Sequence, residues 1–173
     1  MTDTVDQRFE SMHYSHVKSP SGYLIKETLE IGSDVEIAKD FVELLRHDSL
    51  GNDRIIFAEA QFWQYTGQKW QARDDHDIHN TVHLYDGIRY VSGDQIRRRA
   101  LTTSSIKAIL AESSSILTNL RFFEDIPTGI NTLSGFLRIA ECGGKHTVVN
   151  VPHNPNQRQK HCIQARYRPE LLD

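Results

Sequence analysis

The chain has 173 residues and a net charge of −3, with 38% hydrophobic and 25% charged residues, proportions that are typical of a folded, soluble protein. It contains no run of about 18 apolar residues, and its polar first stretch lacks the apolar segment of a signal peptide, so we expect neither a membrane span nor secretion. Two cysteines are too few for a disulfide framework, which favours a cytoplasmic protein.

Charge is distributed unevenly along the chain. Residues 1–87 carry 8 Lys and Arg against 16 Asp and Glu, whereas residues 88–173 carry 12 against 7. A basic half can attract polyanions even when the whole chain is slightly acidic. The alternative is an ordinary scatter of surface charge.

The beginning of the chain differs from the rest. Residues 1–22 lack hydrophobic periodicity and end in the turn signal Ser19-Pro20-Ser21-Gly22, so we expect them to form a flexible leader. Residues 23–173 are predicted to form a single α+β domain. Its amphipathic helices are joined by an aromatic β-hairpin, and a small antiparallel sheet occupies the C-terminal third.

The first predicted helix has a clear start. Ser33 can cap it, and Glu36 stands three residues later, as in a capping box. The helix should end in the polar segment from His47 to Gly51. Apolar residues at helical spacing predict one buried face, formed by Ile37, Ala38, Phe41, Val42, Leu44 and Leu45.

Large aromatic side chains are concentrated between Arg54 and Trp70. Two short strands, Ile55–Phe57 and Phe62–Tyr65, are predicted, followed by a turn at Thr66-Gly67-Gln68 and a return strand, so a β-hairpin or short meander is expected. The tryptophans are interpreted as core anchors. The alternative is that an exposed ring stacks on unpaired bases.

The next segment, residues 73–86, is rich in acids and histidines. On a helix, Asp75, His79 and His83 would lie on one face, and such a set can bind zinc or a similar metal. The alternative, which the scattered acids favour, is an exposed helix without a metal. Its buried side would consist of Ile78, Val82 and Tyr85.

A basic triplet, Arg97-Arg98-Arg99, precedes the last predicted helix. The triplet is typical of a solvated helix, and phosphate contact is the alternative function. The helix is expected from about Thr103 to Asn119, with Thr102 or Thr103 as its cap. Its apolar stripe comprises Ile106, Ile109, Leu110, Ile116 and Leu117.

Strand patterns dominate beyond Pro127. A hairpin is predicted over Gly129–Ile139 with its turn at Ser134-Gly135, followed by strands at His146–Val151 and His161–Tyr167. A loop should span His153–Asn156.

The C-terminal strands carry a basic stretch that we call the basic tail. Gly143–Pro169 contains no Asp or Glu, and its candidate DNA contacts are Lys145, Arg158, Lys160, Arg166, Tyr167 and Arg168. Cations can track phosphates while a ring stacks on a base. In a strand, however, Arg166 and Arg168 would face one way and Tyr167 the other, so charge and stacking would not act on the same side.

No complete catalytic motif is present. The string Gly143-Gly144-Lys145-His146 resembles the end of a phosphate-binding loop, but Ile139 stands where the first glycine should be, and His146 replaces the required Ser or Thr. A glycine-rich turn explains it better. We therefore expect no catalytic residue and no cofactor in this chain.

Four blocks of sequence resemble a known family. Phe62–Trp70 matches an aromatic strand-turn-strand pattern, and Ile130–Ile139, His153-Asn154-Pro155 and Tyr167-Arg168-Pro169 match a hairpin, an H-x-P loop and a Y-x-P end. In this order they resemble the N-terminal domain of phage and plasmid primase-helicases, a poxvirus-type domain that precedes a superfamily 3 helicase. Ser134 departs from the usual Asn, and arginines flank the tyrosine where Asp is frequent.

The resemblance implies a non-catalytic accessory domain in a bacterial or phage-encoded replication protein. Such a domain would engage single-stranded or forked DNA and help its helicase domain or other subunits assemble a ring. ATP and Mg²⁺ would be needed only by the motor domain of the parent protein. Two alternatives stay open: a protein-protein assembly module without DNA contact, and a small metal-dependent nuclease or phosphohydrolase.

Overall fold

The computed structural model describes residues 16–18, 24–48 and 54–171, in which helices and short strands alternate. The α-helices within these residues are α1 (Asp34–Asp48), α2 (Asp75–Val82) and α3 (Thr103–Leu117). The strands are β1 (His16–Lys18), β2 (Leu24–Lys26), β3 (Thr28–Leu29), β4 (Ile55–Ala58), β5 (Gln61–Tyr65), β6 (Trp70–Ala72), β7 (Arg89–Ser92), β8 (Gln95–Arg98), β9 (Ile130–Thr132), β10 (Gly135–Cys142) and β11 (Lys145–Val151). The predicted α+β class is confirmed.

The strands form four small sheets among the described residues. β1 pairs with β2, and the three-stranded sheets have the orders β3-β7-β8, β4-β5-β6 and β11-β10-β9. All of these pairs are antiparallel except β3 with β7. Among the described helices, none combines the length and apolar character that a membrane crossing requires.

The chain divides into two compact units. Of the described residues, unit 1 contains those up to Leu45 together with Ile78–Ile116, and unit 2 contains those from Arg46 to Asp77 and from Leu117 onward. The expected single domain over residues 23–173 stays a prediction. Most of the predicted leader lies outside the described residues, but its segment His16–Lys18 forms a strand paired with Leu24–Lys26.

Unit 1 is built around the apolar face of α1. The Ser33 hydroxyl accepts the backbone N–H of Glu36 at 3.1 Å, so the predicted cap is confirmed. The Glu36 carboxylate, instead of completing a capping box, accepts the backbone N–H groups of residues 30–32 at 2.6–2.9 Å. The predicted apolar positions of α1 are all buried. This carboxylate therefore fixes the approach to the helix as well as its first turn.

The other helices contribute to the same core. Ile78 and Val82 of α2 are buried as predicted, and so is Tyr85 in the 3₁₀ turn that follows. The Tyr85 hydroxyl donates to Asp40 Oδ2 at 2.8 Å. Thr102 caps α3 by accepting the N–H of Ser105 at 3.1 Å, and the helix ends at Leu117, two residues before the predicted end.

Unit 2 contains the aromatic meander β4-β5-β6. Trp70 is only 1% exposed, and its indole N–H donates to the carbonyl of Pro155 at 2.9 Å. Phe122 and Phe123 pack edge-on against the tryptophans, with Trp70–Phe122 and Trp63–Phe123 ring centroids both 4.8 Å apart. The interpretation of the tryptophans as core anchors is confirmed for Trp70, whereas Trp63 is half-buried.

Two predicted elements differ in the structure. Arg97 and Arg98 lie on strand β8 instead of a helix, because residues 95–98 pair with β7 along their whole length. His161–Tyr167 is not a strand: it forms one parallel bridge, from Ile163 to Thr132. Two backbone hydrogen bonds, from Ile163 N–H to the carbonyl of Asn131 and from Leu133 N–H to the carbonyl of Ala165, join the segment to β9 at this one bridge. The hairpin β9–β10 and the strand β11 are confirmed.

Candidate nucleic-acid interface

Three exposed arginines lie on the hairpin β7–β8 of unit 1. A two-residue turn at Gly93-Asp94 joins the strands, and the positive φ of Gly93, 60°, suits this tight turn. The register sets Arg98 opposite Arg89 and Arg97 opposite Tyr90. All four residues of β8 are exposed. We call this hairpin, with Arg89, Arg97 and Arg98, the arginine ribbon.

The arginine ribbon concentrates positive charge. Directly opposed residues of an antiparallel pair point to the same face, so Arg89 and Arg98 are neighbours and repel each other. Glu27 lies 3.7 Å from Arg89 Nη1 and offsets part of this charge. Arg97 and Arg98 make no ion pair with another described residue. An anion held between Arg89 and Arg98 would relieve the repulsion.

The third member of the predicted triplet, Arg99, has a different environment. Its Nη2 lies 2.7 Å from Asp34 Oδ1 and 3.3 Å from the Ser105 hydroxyl, while its Nε is buried without a hydrogen-bond partner. Asp34 begins α1, and Ser105 lies in the first turn of α3. Arg99 therefore joins the end of β8 to the starts of two helices of unit 1.

Two cations of the basic tail are engaged with aromatic rings of unit 2. Lys160 Nζ lies 2.6 Å from the Glu59 carboxylate, 4.1 Å from the ring centroid of Phe123 and 4.8 Å from that of Trp63. Arg158 stands 5.5 Å from the centroid of Phe122. Its Nη1 donates to the carbonyl of Glu124 at 3.1 Å. Both side chains thus cover the aromatic cluster and satisfy local acceptors.

The remaining predicted contacts of the basic tail stay exposed. Lys145 follows the Gly143-Gly144 turn, whose φ values of 58° and 77° confirm the predicted glycine-rich turn. Arg166 and Arg168 are exposed and flank the half-buried Tyr167, whose N–H donates to the Ser134 hydroxyl at 2.9 Å. Because this segment is not a strand, the expected separation of charge and ring onto opposite faces does not apply.

The candidate metal ligands do not form a cluster. Asp75 and His79 lie on α2 and His83 lies in the following 3₁₀ turn, and all three are exposed. Within the ranges that the structure describes, no group of three or more His, Cys, Asp or Glu is arranged to hold a metal ion.

Unit 2 also contains a polar groove that no sequence pattern indicates. It has a volume of about 700 Å³ and is lined by glutamines of β5 and β6 and by acids that follow β6. Gln64 and Gln71 are opposite each other across the two strands, and Arg73 Nη1 donates to Gln64 Oε1 at 2.6 Å. These amides are brought together by the register of β5 with β6, which cannot be read from the sequence.

Comparisons with protein-family models, curated proteins and solved structures find no match to this chain.

Proposed function

We propose that this chain is a non-catalytic accessory module of a DNA replication protein and that it contacts single-stranded or forked DNA through the arginine ribbon. The observation that carries the proposal is the cross-strand pair of Arg89 and Arg98, with Arg97 exposed on the opposite face of the same hairpin. Three exposed guanidinium groups on one short hairpin form a local positive field in a chain whose net charge is negative.

The mechanism is electrostatic capture of the sugar-phosphate backbone. Guanidinium groups match phosphate oxygens with two parallel hydrogen bonds, and each neutralised phosphate releases condensed counterions. Such contacts position a nucleic acid without reading its sequence. We therefore expect binding that depends strongly on salt and weakly on base sequence.

The resemblance to primase-helicase N-terminal domains supports the choice of DNA as the polyanion. In such a parent protein the motor domain would use ATP and Mg²⁺, and the present chain would supply no chemical step. The exposed Lys145, Arg166 and Arg168 of the basic tail are further candidate contacts. Arg158 and Lys160 are weaker candidates, because both cover aromatic rings in unit 2.

A salt titration of DNA binding tests this function. Fluorescence anisotropy with labelled single-stranded and forked oligonucleotides should show weak binding at low salt, and log affinity should fall linearly with log salt, by about 0.7 for each phosphate contact on a single strand. Absence of binding at low salt, or an affinity that salt does not change, would contradict the proposal.

A further inference from the structure

The strand β11 is an exposed sheet edge in unit 2. The order β11-β10-β9 leaves one side of β11 without a strand partner among the described residues. Its ladder with β10 runs through seven consecutive pairs, from Phe136–Val151 to Cys142–Lys145. An edge of this length offers a row of backbone donors and acceptors to another strand.

The usual protections of an edge strand are missing from β11. It contains no proline, its unbroken register leaves no bulge, and its one fully charged residue, Lys145, stands at its end. The middle is rich in β-branched residues, Thr147, Val148 and Val149, which favour extended pairing. The edge is thus suited to pairing rather than protected from it.

The hairpin geometry determines which backbone groups point outward. The two-residue turn Gly143-Gly144 makes Cys142 and Lys145 a hydrogen-bonded pair, and the pattern alternates from there. The N–H and C=O groups of His146, Val148 and Asn150 are therefore directed away from β10. Val148 is the central residue of these three and of the whole strand.

The outer face of this sheet also carries exposed aliphatic side chains, bordered by Glu141 and His146 toward the hairpin turn. Ile139 pairs directly with Val148, so both side chains lie on the same face, and they are 73% and 51% exposed. Ile130 of β9 lies on that face as well and is 51% exposed. The opposite face contains the buried Phe136 and Asn131. Exposed aliphatic rows of this kind are typical of an interaction surface.

A second copy of β11 fits this edge better than an arbitrary strand. In an antiparallel pair centred on Val148, Lys145 would be opposite Val151, His146 opposite Asn150, and Thr147 opposite Val149. No like charges would meet, and the two lysines would lie at opposite ends. On the outer face, Ile139 and Val148 of each copy would form one row of four aliphatic side chains, which is a favourable set of cross-strand pairs.

We propose that this protein forms a two-fold symmetric dimer by antiparallel pairing of β11 with β11 of a second copy, joining two three-stranded sheets into one of six strands. This interaction surface lies in unit 2 and is independent of the arginine ribbon in unit 1. Either proposal can therefore fail without the other.

A cysteine at the two-fold axis tests the register directly. In chains with Cys142→Ser and Cys162→Ser, the substitution Val148→Cys would bring two thiols opposite each other in a hydrogen-bonded pair, with Cα atoms about 5.5 Å apart, within the range that a disulfide spans. Mild oxidation should convert most of the chain into a disulfide-linked dimer. The matched control is Ile139→Cys, an exposed thiol on the same face whose copies would be about 14 Å apart at three strand spacings. It should stay monomeric on a non-reducing gel.

Sedimentation velocity supplies a readout that needs no engineered thiol. The unmodified protein should dimerise as its concentration rises. Val148→Lys, which opposes two like charges at the axis, should remove the dimer, whereas Ile130→Lys, on the same face but on the far strand β9, should retain it. A wild-type protein that is monomeric at every concentration would overturn the proposal. Equal cross-linking by both cysteine variants would also overturn the proposal, and so would loss of the dimer in both lysine variants. Either result indicates that the dimer forms by packing of sheet faces instead of pairing of strand edges.

Discussion

Two consecutive arginines, Arg98 and Arg99, have different environments in this protein. Arg98 is exposed on β8 opposite Arg89, and Arg99, the next residue, is held by Asp34 and Ser105. The side chains of Arg99 and Asp34 are 31% and 29% exposed, so solvent screens their ion pair only in part. Arg99 therefore stabilises unit 1, and Arg98 is available for an external anion.

Substitution of these two arginines should separate stability from binding. Arg99→Ala removes the ion pair with Asp34 and should lower the free energy of unfolding by about 1 kcal/mol. Arg98→Ala removes an exposed side chain and should change it by less than about 0.5 kcal/mol. Urea unfolding followed by circular dichroism measures both. An Arg99→Ala variant as stable as the wild type would contradict a structural role for this residue.

Tyr85 is a second residue whose environment has a measurable consequence. Its side chain is 0% exposed, and burial, followed by the charge of Asp40 and the hydrogen bond to it, raises the pKa of the phenol well above 10.0. The phenol thus stays neutral in the folded protein at a pH where it ionises in the unfolded chain. The stability that this neutral, buried phenol contributes is fully present below about pH 10 and is lost as the pH rises further.

Tyr85→Phe should reveal this contribution. The variant loses a hydrogen bond to a carboxylate and should be less stable at neutral pH by about 1.5 kcal/mol. Above about pH 10 the wild type should lose stability more steeply than the variant, because only the wild type has this buried phenol. Urea unfolding across the alkaline range tests both effects. An identical alkaline loss in the two proteins would contradict the account.

Among the elements of unit 2, the segment around Lys160 covers the aromatic meander β4-β5-β6. The ammonium group contacts the rings of Trp63 and Phe123 and the Glu59 carboxylate. The neighbouring backbone is attached as well, since Trp70 N–H donates to the carbonyl of Gln159 at 2.8 Å. These contacts indicate that this part of the basic tail stabilises unit 2.

Lys160→Ala should therefore impair stability more than DNA binding. Loss of the ring contacts and the ion pair should lower the free energy of unfolding by about 1–2 kcal/mol. The affinity of the folded protein for DNA should change little. Tryptophan fluorescence during urea unfolding measures the first quantity, and Arg166→Ala is a matched control that should be neutral for stability. A large loss of affinity in Lys160→Ala without destabilisation would contradict this assignment.

The elements that the sequence predicts best are those that depend on residues close together in the chain. The Ser33 cap and the buried face of α1 follow from residues within a few positions of each other, and the aromatic meander follows from a local turn signal. The helix predicted for the triplet is wrong because the turn at Gly93-Asp94 folds residues 95–98 back against β7. The expected strand at His161–Tyr167 is wrong because its pairing with β9 is limited to one bridge, and the pattern of a segment does not show how far a partner follows it.

The composition of the candidate site was harder to predict because it depends on distant partners. Arg99 and Asp34 are 65 positions apart, and Lys160 and Glu59 are 101 apart. A count of basic residues cannot distinguish a cation held by such a partner from one that is exposed. Arg89, which lies outside the triplet, becomes part of the arginine ribbon only through the register of β7 with β8.

At the scale of the whole molecule, the proposed tasks belong to different compact units. Unit 1 contains the arginine ribbon, whereas unit 2 contains the aromatic cluster, the engaged cations Arg158 and Lys160, and the proposed dimer edge β11. A dimer would present two arginine ribbons, and linked binding sites increase the apparent affinity for one long strand of nucleic acid.

A comparison of two double variants tests whether the arginine ribbon binds DNA. Arg97→Ala with Arg98→Ala removes two charges from the ribbon, and Lys39→Ala with Lys107→Ala removes two exposed charges from α1 and α3 of the same unit. By fluorescence anisotropy, the first variant should bind single-stranded DNA more weakly than the wild type, and its salt slope should be smaller by about 0.7 for each lost contact. The second should bind as the wild type does. Equal affinities and salt slopes in the two variants would contradict the claim.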